Sequence, residues 1–459
     1  MLEDNIAALA TPPGESGIAV IRLSGPDSIN LIAPAFRPAH GPGLSERRSH
    51  TLTLGWLLNA DGQPLDQVLA GIMRAPRSYT AENVAELNCH GGLLAVRACL
   101  ERCLELGFRL AEPGEFTHRA FLNGRLDLSQ AEAVIDIIRA QSDTALQLSV
   151  QQLAGQLSGC VQTLEYDLVG VQASLLASID FPEDVGELDV PAATASLQSI
   201  NEKIELLLRA SARTEIYRQG INLTICGKPN VGKSSLLNRL LLQDKAIVTE
   251  IPGTTRDIVE ELIHIAGLPV HLMDTAGIRT TEDQVEKIGV ARSKQAIALA
   301  DAIIFVLDKA AGITAADLEV YREIRHPEKV IFLLNKDDLT HKDITDQEIY
   351  AHFPQAKIIR ASVKEDYGIE ELEAAIIELI TNDQSHAADL RIWVNARQKD
   401  ALQRCQAEIQ AIQTSLSHTT LDCLAVELDT ALDCLGEITG RSLKEEVITR
   451  IFQDFCIGK

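Results

Sequence analysis

Long apolar runs are missing from this sequence, and none approaches the roughly 18 residues that a membrane-spanning helix needs. The opening residues MLEDNIAALA carry acids where a secretory signal peptide would carry basic residues. The nine cysteines include no CxxC pair, so neither a disulfide framework nor a zinc site is indicated. We therefore expect a cytoplasmic protein that does not bind a membrane and keeps its thiols reduced.

Positive charge is also scarce. The 42 lysines and arginines are outnumbered by 65 aspartates and glutamates, which gives a net charge of −23. Because nucleic-acid affinity depends largely on cations that neutralise phosphates, a broad nucleic-acid-binding surface is excluded. Any contact with RNA must be local or supplied by a partner. The length of 459 residues allows about three domains.

The strongest motif lies in the middle of the chain, in the segment INLTICGKPNVGKSSLLNRLL. An apolar strand at residues 221–226 leads into Gly227-x-x-x-x-Gly232-Lys233-Ser234, and a helix is expected to follow. The glycines allow backbone N–H groups to point at phosphates, Lys233 can reach the β and γ oxygens, and Ser234 can bind magnesium. The pattern predicts a phosphate-binding loop.

Three later motifs identify the nucleotide. Asp274, followed by Thr275-Ala276-Gly277, ends a predicted strand, where a carboxylate is expected to support the magnesium ion through its bound water. Asp338 in Asn335-Lys336-Asp337-Asp338 can accept two hydrogen bonds from guanine that adenine cannot offer, so GTP is the expected ligand. Ser362-Val363-Lys364 would close over the base. Strands alternating with helices between residues 217 and 380 predict a doubly wound parallel sheet, with the nucleotide at the carboxyl ends of its strands.

These motifs, together with the loop VTEIPGTTRD, predict one set of GTP-binding residues. The set consists of Asn230, Val231, Gly232, Lys233, Ser234, Ser235, Thr249, Glu250, Ile251, Pro252, Gly253, Thr254, Thr255, Asp274, Thr275, Ala276, Gly277, Asn335, Lys336, Asp338, Ser362, Val363 and Lys364. Within it, Ser234 and Thr255 are the expected magnesium ligands.

The residue that promotes hydrolysis is less plainly marked. Ras-type GTPases place a glutamine directly after DTAG to orient the attacking water, whereas Ile278 holds that position here. The segment RTTEDQVEKIG offers Glu282, Asp283 and Glu286 as replacements. Each of them could equally be a solvated surface acid.

The source of stabilising positive charge is open as well. Arg256 and Arg279 are candidates, although neither is plainly placed to contact the transition state. A bound cation could supply the charge instead, and the side-chain oxygen of Asn230 is well placed to help bind one.

Both flanks of the nucleotide-binding region are predicted to be helical, because apolar residues recur there at spacings of three and four. They are Leu146, Val150, Leu153, Leu157, Val161, Leu164, Leu168, Val171 and Leu175 before it, and Leu402, Cys405, Ile409, Ile412 and Leu416 after it. Ser129 and Glu132 form a capping-box pattern for the preceding helix. The two stretches are expected to pack together, with the nucleotide-binding domain inserted between them.

The first 118 residues differ in kind. Short alternating runs separated by proline and glycine predict a compact α+β domain with strands. Its segment ELNCHGG places Glu86, Cys89 and His90 together. One histidine beside one cysteine is a weak metal signal, because the other ligands are missing.

The segment FCIGK allows three interpretations. Cys456 has the spacing of a prenylation box, which the last two residues fit badly. The segment could instead be frayed, or it could dock through Phe452, Phe455 and Ile457. A docked tail would bring Cys456 to a site as a reactive thiol, or bury it as a small hydrophobic residue.

Seven segments together resemble a known family. They are ATPPGESGIAVIRLSG, ENVAELNCHGG, RLAEPGEFTHRAFLNGRLDLSQAEAV, GKPNVGKSSLLN, VTEIPGTTRD, DTAGIR and FCIGK, and they span the whole chain. They resemble the MnmE family, also called TrmE, of tRNA modification GTPases. The resemblance implies a multidomain α+β and α/β fold. It places an α+β domain for tetrahydrofolate binding and dimerisation at 1–118, a helical bundle domain at 119–215 and 383–459, and an inserted doubly wound P-loop GTPase domain at 216–382.

The resemblance also implies an activity and partners. A homodimer would act with the flavoprotein MnmG, also called GidA, to add a carboxymethylaminomethyl or aminomethyl-type group at carbon 5 of the wobble uridine of certain tRNAs. The one-carbon unit would come from 5-formyltetrahydrofolate or a related tetrahydrofolate. The implied folate positions are Arg22, Glu86, Arg125 and Lys459, with arginine at 125 where some relatives carry lysine. Cys456 would then lie near the one-carbon unit as a nucleophile or proton donor.

For hydrolysis, the resemblance implies potassium bound by Asn230, Thr249, Ile251 and Thr254. It also implies pairing of two GTPase domains, and Glu286 as the residue that orients the water. The alternative is a ribosome-assembly GTPase of the Era or Der kind, which performs no one-carbon chemistry. The single GTPase domain, and the lack of a basic RNA-binding module after it, argue against this alternative.

Overall fold

The computed structural model describes residues 4–243, 260–274, 295–339, 344–381, 392–416 and 418–459. The chain divides into two units. We call the first the terminal unit, which comprises Met1–Arg139, Ser149–Leu208 and Val394–Lys459. The second, the inserted unit, comprises Ala140–Leu148 and Arg209–Trp393. The domain borders predicted from the sequence stay predictions.

The N-terminal part of the terminal unit is built on a seven-stranded sheet. Its strands are β1 (Ile6–Leu9), β2 (Ser16–Gly25), β3 (Phe36–Pro38), β4 (Thr51–Leu58), β5 (Pro64–Met73), β6 (Asn83–Gly91) and β7 (Arg109–Leu110). They lie in the order β3-β4-β5-β6-β2-β1-β7. Because side chains alternate between the two faces of a strand, Ile21, Leu23, Ala85 and Leu87 point to one side and form a core there. The expected α+β character is confirmed.

The opposite face of this sheet carries apolar side chains where solvent-exposed polar ones are usual. Leu52, Leu54 and Trp56 alternate along β4 and are 67%, 47% and 36% exposed. Leu69 of β5 is the cross-strand partner of Leu54 and is 40% exposed. We call these four residues the outer apolar face.

The α-helices whose two ends are described are numbered along the chain. They are α1 (Ser28–Ile32), α2 (Leu93–Glu105), α3 (Glu115–Leu122), α4 (Leu128–Arg139), α5 (Asp143–Leu153), α6 (Gln156–Asp180), α7 (Pro182–Val185), α8 (Val190–Gln219), α9 (Lys233–Gln243), α10 (Ala315–Arg322), α11 (Asp346–His352), α12 (Ile369–Thr381), α13 (Ala396–Ser415), α14 (Leu421–Thr439) and α15 (Glu445–Gln453). None of the described helices combines the length and apolar character that crossing a membrane requires.

The helical bundle of the terminal unit brings together the two predicted apolar stretches. The predicted apolar positions from Leu157 to Leu175 are buried on α6, and those from Leu402 to Leu416 are buried at α13. Helix α14 packs against both α6 and α13. Helices α6 and α13 therefore belong to one bundle with α14 between them, and the predicted direct packing of the two stretches stays a prediction.

The first stretch is two helices where the sequence pattern predicts one. Helix α5 ends at Leu153 and α6 begins at Gln156. Gly155 separates them with φ of +89°, a left-handed conformation that no helix interior contains. Leu146 and Val150, on α5, are 40% and 49% exposed. Hydrophobic spacing alone does not reveal this break, because the apolar period continues across it.

The predicted capping box of α4 is also wrong. Asp127 and Gln130 form it: the Asp127 N–H donates to Gln130 Oε1 at 3.0 Å, and the Gln130 N–H donates to Asp127 Oδ1 at 2.9 Å. Ser129 lies inside the helix, and its hydroxyl donates to Asp127. Glu132 forms a salt bridge with Arg397 at 2.8 Å, which links α4 to α13.

The inserted unit contains a six-stranded sheet. Its strands are β8 (Ile221–Cys226), β9 (Glu260–Ile265), β10 (Leu268–Asp274), β11 (Ala302–Asp308), β12 (Val330–Asn335) and β13 (Lys357–Arg360), in the order β13-β12-β11-β8-β10-β9. Strand β9 runs antiparallel to β10, and the remaining pairs are parallel. Buried apolar clusters cover the sheet, as parallel strands require. The doubly wound α/β fold is confirmed, and it gathers the loops after β8, β11 and β12 at one edge.

Candidate functional site

The loop between β8 and α9 has the backbone of a phosphate-binding loop. Gly227, Asn230 and Gly232 have positive φ angles of 141°, 65° and 103°. A Cβ on Gly227 would lie 2.5 Å from the carbonyl oxygen of Val306, and one on Gly232 would lie 2.3 Å from Asn335 Nδ2. Both positions therefore require glycine, on grounds of conformation and of space.

Lys233 lies across this loop at the start of α9. Its Nζ donates to the carbonyl oxygens of Gly227 and Lys228, each at 2.8 Å. Loops of this type bind the β and γ phosphates beside their lysine, and the hydrogen bonds of Lys233 hold its ammonium group against the loop. Ser234 and Ser235 are exposed at the helix N-terminus, where a hydroxyl can reach a bound metal.

Asn335 connects the phosphate end of the site to the base end. It is 3% exposed, its Nδ2 donates to the carbonyl oxygen of Val231 at 2.8 Å, and its Oδ1 accepts from the Val363 N–H at 3.2 Å. Lys336 adds a second link, because its Nζ donates to the carbonyl oxygen of Asn230 at 3.1 Å. The loops after β8, β12 and β13 thus form one hydrogen-bonded assembly.

A cavity of about 570 Å³ lies among these loops, and Ser235, Lys336, Asp338, Ser362 and Lys364 are among its lining residues. The Ser362 hydroxyl donates to Asp338 Oδ1 at 2.7 Å. This hydrogen bond lowers the pKa of Asp338 below its usual value. Asp338 is therefore an ionised acceptor at neutral pH, as recognition of guanine N1–H and its amino group needs.

Part of the predicted nucleotide site lies outside the described residues. Asp274 is the last residue of β10, where its backbone pairs with Ile225 of β8. The predicted site residues outside the description are Thr249, Glu250, Ile251, Pro252, Gly253, Thr254, Thr255, Thr275, Ala276, Gly277 and Glu286, and with them the weighed positions Arg256, Ile278, Arg279, Glu282 and Asp283.

A second cluster of predicted site residues lies in the terminal unit, where the FCIGK segment is docked. Phe452 and Phe455 are 2% and 6% exposed, whereas Ile457 is 61% exposed and does not help the docking. The Gly114 N–H donates to the carbonyl oxygen of Cys456 at 3.3 Å. The side chain of Cys456 is exposed.

The last two residues of the segment reach the edge of the N-terminal sheet. Arg22 Nη1 donates to the carbonyl oxygen of Gly458 at 3.1 Å. Gly458 has φ of +87°, and a Cβ there would lie 2.6 Å from the carbonyl oxygen of Leu9. Burial, and then the nearby Arg22, lower the pKa of Lys459, while Glu86 opposes them.

Arg22 connects the folate positions that the resemblance implies. Arg22 Nε donates to Glu86 Oε1 at 2.8 Å. The guanidinium carbons of Arg22 and Arg125 lie 5.2 and 5.0 Å from the centroid of the Tyr79 ring. Arg125 Nη1 also donates to the carbonyl oxygen of Tyr79 at 2.9 Å. Arg22 and Arg125 therefore share one aromatic ring, and Arg22 and Lys459 lie near one carboxylate, that of Glu86.

Sequence reasoning missed Tyr79 and its neighbours. The hydroxyls of Tyr79 and Thr117 lie 2.8 Å apart, and burial raises the pKa of Tyr79. The Arg22 guanidinium also lies 5.8 Å from the Phe116 ring centroid. Tyr79 and Arg125 are 46 positions apart, so no sequence motif around Tyr79 indicated that the two side chains are in contact.

Comparison with known proteins identifies the family. Residues 128–456 match the family model described as the MnmE helical domain, and residues 5–125 match that of the GTP-binding protein TrmE N-terminus. The tRNA modification GTPase MnmE of Syntrophomonas wolfei subsp. wolfei is 52% identical over 460 residues and 100% of both chains. That of Moorella thermoacetica is 47% identical over 468 residues and 100% of both chains. The chain belongs to the MnmE family.

The two comparisons confirm the family that the sequence segments resemble. They also confirm the GTPase activity that the sequence motifs predict. The match to the N-terminal family model includes Arg22, Tyr79, Glu86 and Arg125, and the match to the helical-domain model extends to Cys456. Among solved structures, the G domain of the T. maritima iron transporter FeoB is 29% identical and covers 35% of this chain and 98% of that chain, with a TM-score of 0.26. At that TM-score the likeness supports no conclusion about this chain.

Proposed function

We propose that this MnmE-family GTPase couples potassium-stimulated GTP hydrolysis to modification of the wobble uridine in certain tRNAs. A homodimer, acting with the flavoprotein MnmG, adds a carboxymethylaminomethyl or aminomethyl-type group at carbon 5. The observation that carries the proposal is the docked FCIGK segment, which brings Lys459 near Arg22 and Glu86 within the terminal unit. An isolated GTP switch has no use for such a cluster.

For hydrolysis, the described residues support a site with two cations. Lys233 would bind the β and γ phosphates, Ser234 and Thr255 would bind magnesium, and Asp338 would bind guanine. Asn230 has φ of +65° in the phosphate-binding loop and an exposed side chain, which leaves its amide oxygen accessible to potassium. Thr249, Ile251 and Thr254 would complete the potassium site, and Glu286 would orient the water. The remaining residues of the predicted GTP-binding set would also contact the nucleotide, as their motifs imply.

The potassium proposal has a direct test in the rate of GTP hydrolysis. We expect much faster hydrolysis in potassium chloride than in sodium chloride of equal concentration, because the larger cation supplies the charge that no arginine plainly provides. Asn230→Gly keeps the positive φ without strain and removes the amide oxygen, so it should abolish the difference between the salts. Equal wild-type rates in both salts would refute the role of potassium.

The cluster around Tyr79 has the chemistry that a reduced folate requires. A folate carries aromatic rings and two carboxylates, and the cluster offers an aromatic surface with Arg22, Arg125 and Lys459 against the single acid Glu86. When bound, the folate would supply a one-carbon unit. Arg22 and Lys459 would hold its anionic groups, and Cys456, exposed three residues before Lys459, could donate a proton or attack as a thiolate.

Calorimetric titration of the full chain with 5-formyltetrahydrofolate tests this site. Arg22→Gln should weaken binding at least about tenfold, because a hydrogen bond to a charged group contributes about 1.5–3 kcal/mol. Arg97→Gln is the matched control, since Arg97 is an exposed arginine of the same unit that pairs with Glu101 on α2. Failure of the wild-type protein to bind the folate would refute the proposed one-carbon role of this site.

The outer apolar face supports the proposed homodimer. Leu52, Leu54, Trp56 and Leu69 form adjoining exposed apolar positions on β4 and β5, and such contiguous patches commonly mark protein interfaces. Leu54→Glu should shift the molar mass measured by light scattering from dimer toward monomer. Leu206→Glu, at a leucine of α8 that is 70% exposed, should leave the mass unchanged. A dimer that persists in the Leu54 variant would exclude this face as the interface.

A further inference from the structure

A cluster of metal-ligand side chains lies in the N-terminal sheet, outside the two sites discussed above. Cys89 Sγ, Cys99 Sγ and a carboxylate oxygen of Asp66 lie within 4.8 Å of one another. The three residues come from β6, α2 and β5. Within the part of the chain that the structure describes, this is the one place where three histidine, cysteine or acidic ligands come so close together.

The acid in this cluster occupies a core-facing position. Asp66 is two residues before Val68 and four before Ala70, which are 1% and 0% exposed, so it lies on the same face of β5. Cys89 and Cys99 are 3% and 0% exposed and belong to the same core. The carboxylate therefore lies beside two buried thiols, so three potential metal-ligand side chains meet at one point of the core.

The carboxylate is held in a fixed orientation. The His90 backbone N–H donates to Asp66 Oδ2 at 2.8 Å, and His90 Nδ1 lies 2.6 Å from Asp66 Oδ1. The side chains of Asp66 and His90 are 10% and 69% exposed, so the cluster is closed on the core side and reaches solvent through His90. Carboxylates that bind metal ions are usually hydrogen-bonded in this way, and the partner, here His90, fixes their orientation.

The ligand set matches a thiophilic divalent ion. Zinc bonds of about 2.3 Å to sulfur and about 2.0 Å to oxygen in a tetrahedron place the ligand atoms about 3.5–3.8 Å apart. Spacings of up to 4.8 Å therefore need to contract by at most about 1.3 Å. Thiolate and carboxylate ligands in a tetrahedron favour zinc over magnesium or potassium. Three protein ligands would leave the fourth position for water.

We propose that Asp66, Cys89 and Cys99 form a zinc site that joins β5, β6 and α2, with His90 as a positioning residue. The site goes beyond the proposed function, since it requires neither nucleotide nor folate. Binding displaces the two thiol protons to solvent and leaves two thiolates and one carboxylate on the ion. The bound ion would fasten α2 to the sheet.

Cobalt(II) is the probe, because cobalt bound to thiolates absorbs in the near ultraviolet whereas cobalt at an oxygen site such as that for magnesium does not. The full chain is reduced, stripped of metal with a chelator and titrated. We expect one equivalent of cobalt with thiolate absorption, displacement of that absorption by zinc, and a higher melting temperature with zinc. Cys89→Ser, Cys99→Ser and Asp66→Asn should each weaken zinc binding at least tenfold, and His90→Ala should weaken it about 10–100-fold.

The controls use thiols away from the cluster. Cys160→Ser on α6 and Cys423→Ser on α14 should keep the full absorption, as should Cys456→Ser. If a buried cysteine variant unfolds, the Asp66→Asn variant decides the question, because Asp66 is partly exposed. Its circular dichroism spectrum must match that of the wild type, which shows that the variant is folded. The proposal is overturned if reduced wild-type protein shows no thiolate–cobalt absorption, or if the absorption survives in the folded Asp66 variant at unchanged affinity. A Cys89–Cys99 disulfide in the protein purified without added oxidant would also overturn it.

Discussion

Gly458→Ala should open the proposed folate pocket without touching the GTP site. Alanine at φ of +87° costs about 1–2 kcal/mol. Its Cβ would also lie 2.6 Å from the Leu9 carbonyl oxygen and 2.8 Å from the Ala10 Cα, and these are backbone atoms of β1 and its adjoining residue that cannot rotate aside. Undocking of the last residues relieves both penalties. Since 1.4 kcal/mol corresponds to a factor of ten, we expect folate affinity to fall at least about tenfold.

Two measurements report this effect independently. Calorimetry gives the affinity for 5-formyltetrahydrofolate, and hydrogen–deuterium exchange gives the protection of the backbone amides from Cys456 to Lys459. Gly62→Ala is the matched control, because Gly62 has φ of +77° but no heavy atom within 4 Å of the point that a Cβ would occupy. It should carry the conformational cost alone and leave both readouts unchanged. A Gly458 variant that binds folate as tightly as the wild type and keeps Lys459 equally protected would refute the reasoning.

Three further substitutions separate the proposed roles. Glu286→Ala should lose most GTP hydrolysis while GTP affinity stays unchanged, because the carboxylate acts on the water. If Glu286→Ala hydrolyses GTP at the normal rate and Glu282→Ala does not, the role belongs to Glu282. Cys456→Ser should leave GTP hydrolysis nearly intact and abolish wobble-uridine modification in a reconstituted assay with MnmG. Modification at the wild-type rate in this variant would show that Cys456 takes no part in the chemistry and that the FCIGK segment serves only in packing. Ser362→Ala should raise the pKa of Asp338, because it removes the hydrogen bond that lowers it. GTP affinity, which needs the ionised carboxylate, should then be lost at a higher pH as the solution is acidified, and an unchanged pH profile would contradict this assignment.

The nucleotide-binding fold was predictable because its signals are local. The strand before Gly227, the glycines of the loop and the helix after it are contiguous, and each element has its own hydrophobic period. Asp338 could likewise be placed at the end of a buried strand. The link that Asn335 makes between two loops was not predictable, since it depends on how strands far apart in the sequence pair in the sheet.

The proposed folate site, in contrast, could not be predicted from local sequence patterns. Residue patterns alone gave Arg22 and Lys459 no role, and only resemblance to a family placed them together. The aromatic ring that Arg22 and Arg125 share, Tyr79, escaped notice because its partners are contributed by separate parts of the sequence. Apolar content correctly favoured docking of the C-terminal segment through Phe452 and Phe455, but it could not tell that Ile457 faces solvent.

The hydrogen bond from Arg22 to Gly458 joins positions 436 residues apart, which has a consequence for biosynthesis. A ribosome that adds about 5–20 residues per second needs about 20–90 s to cover that interval, and domains generally fold as units during this time. The whole inserted unit is translated within it. A nascent chain can therefore acquire a nucleotide-binding unit before its one-carbon pocket is complete, so premature termination would yield a GTPase without that pocket.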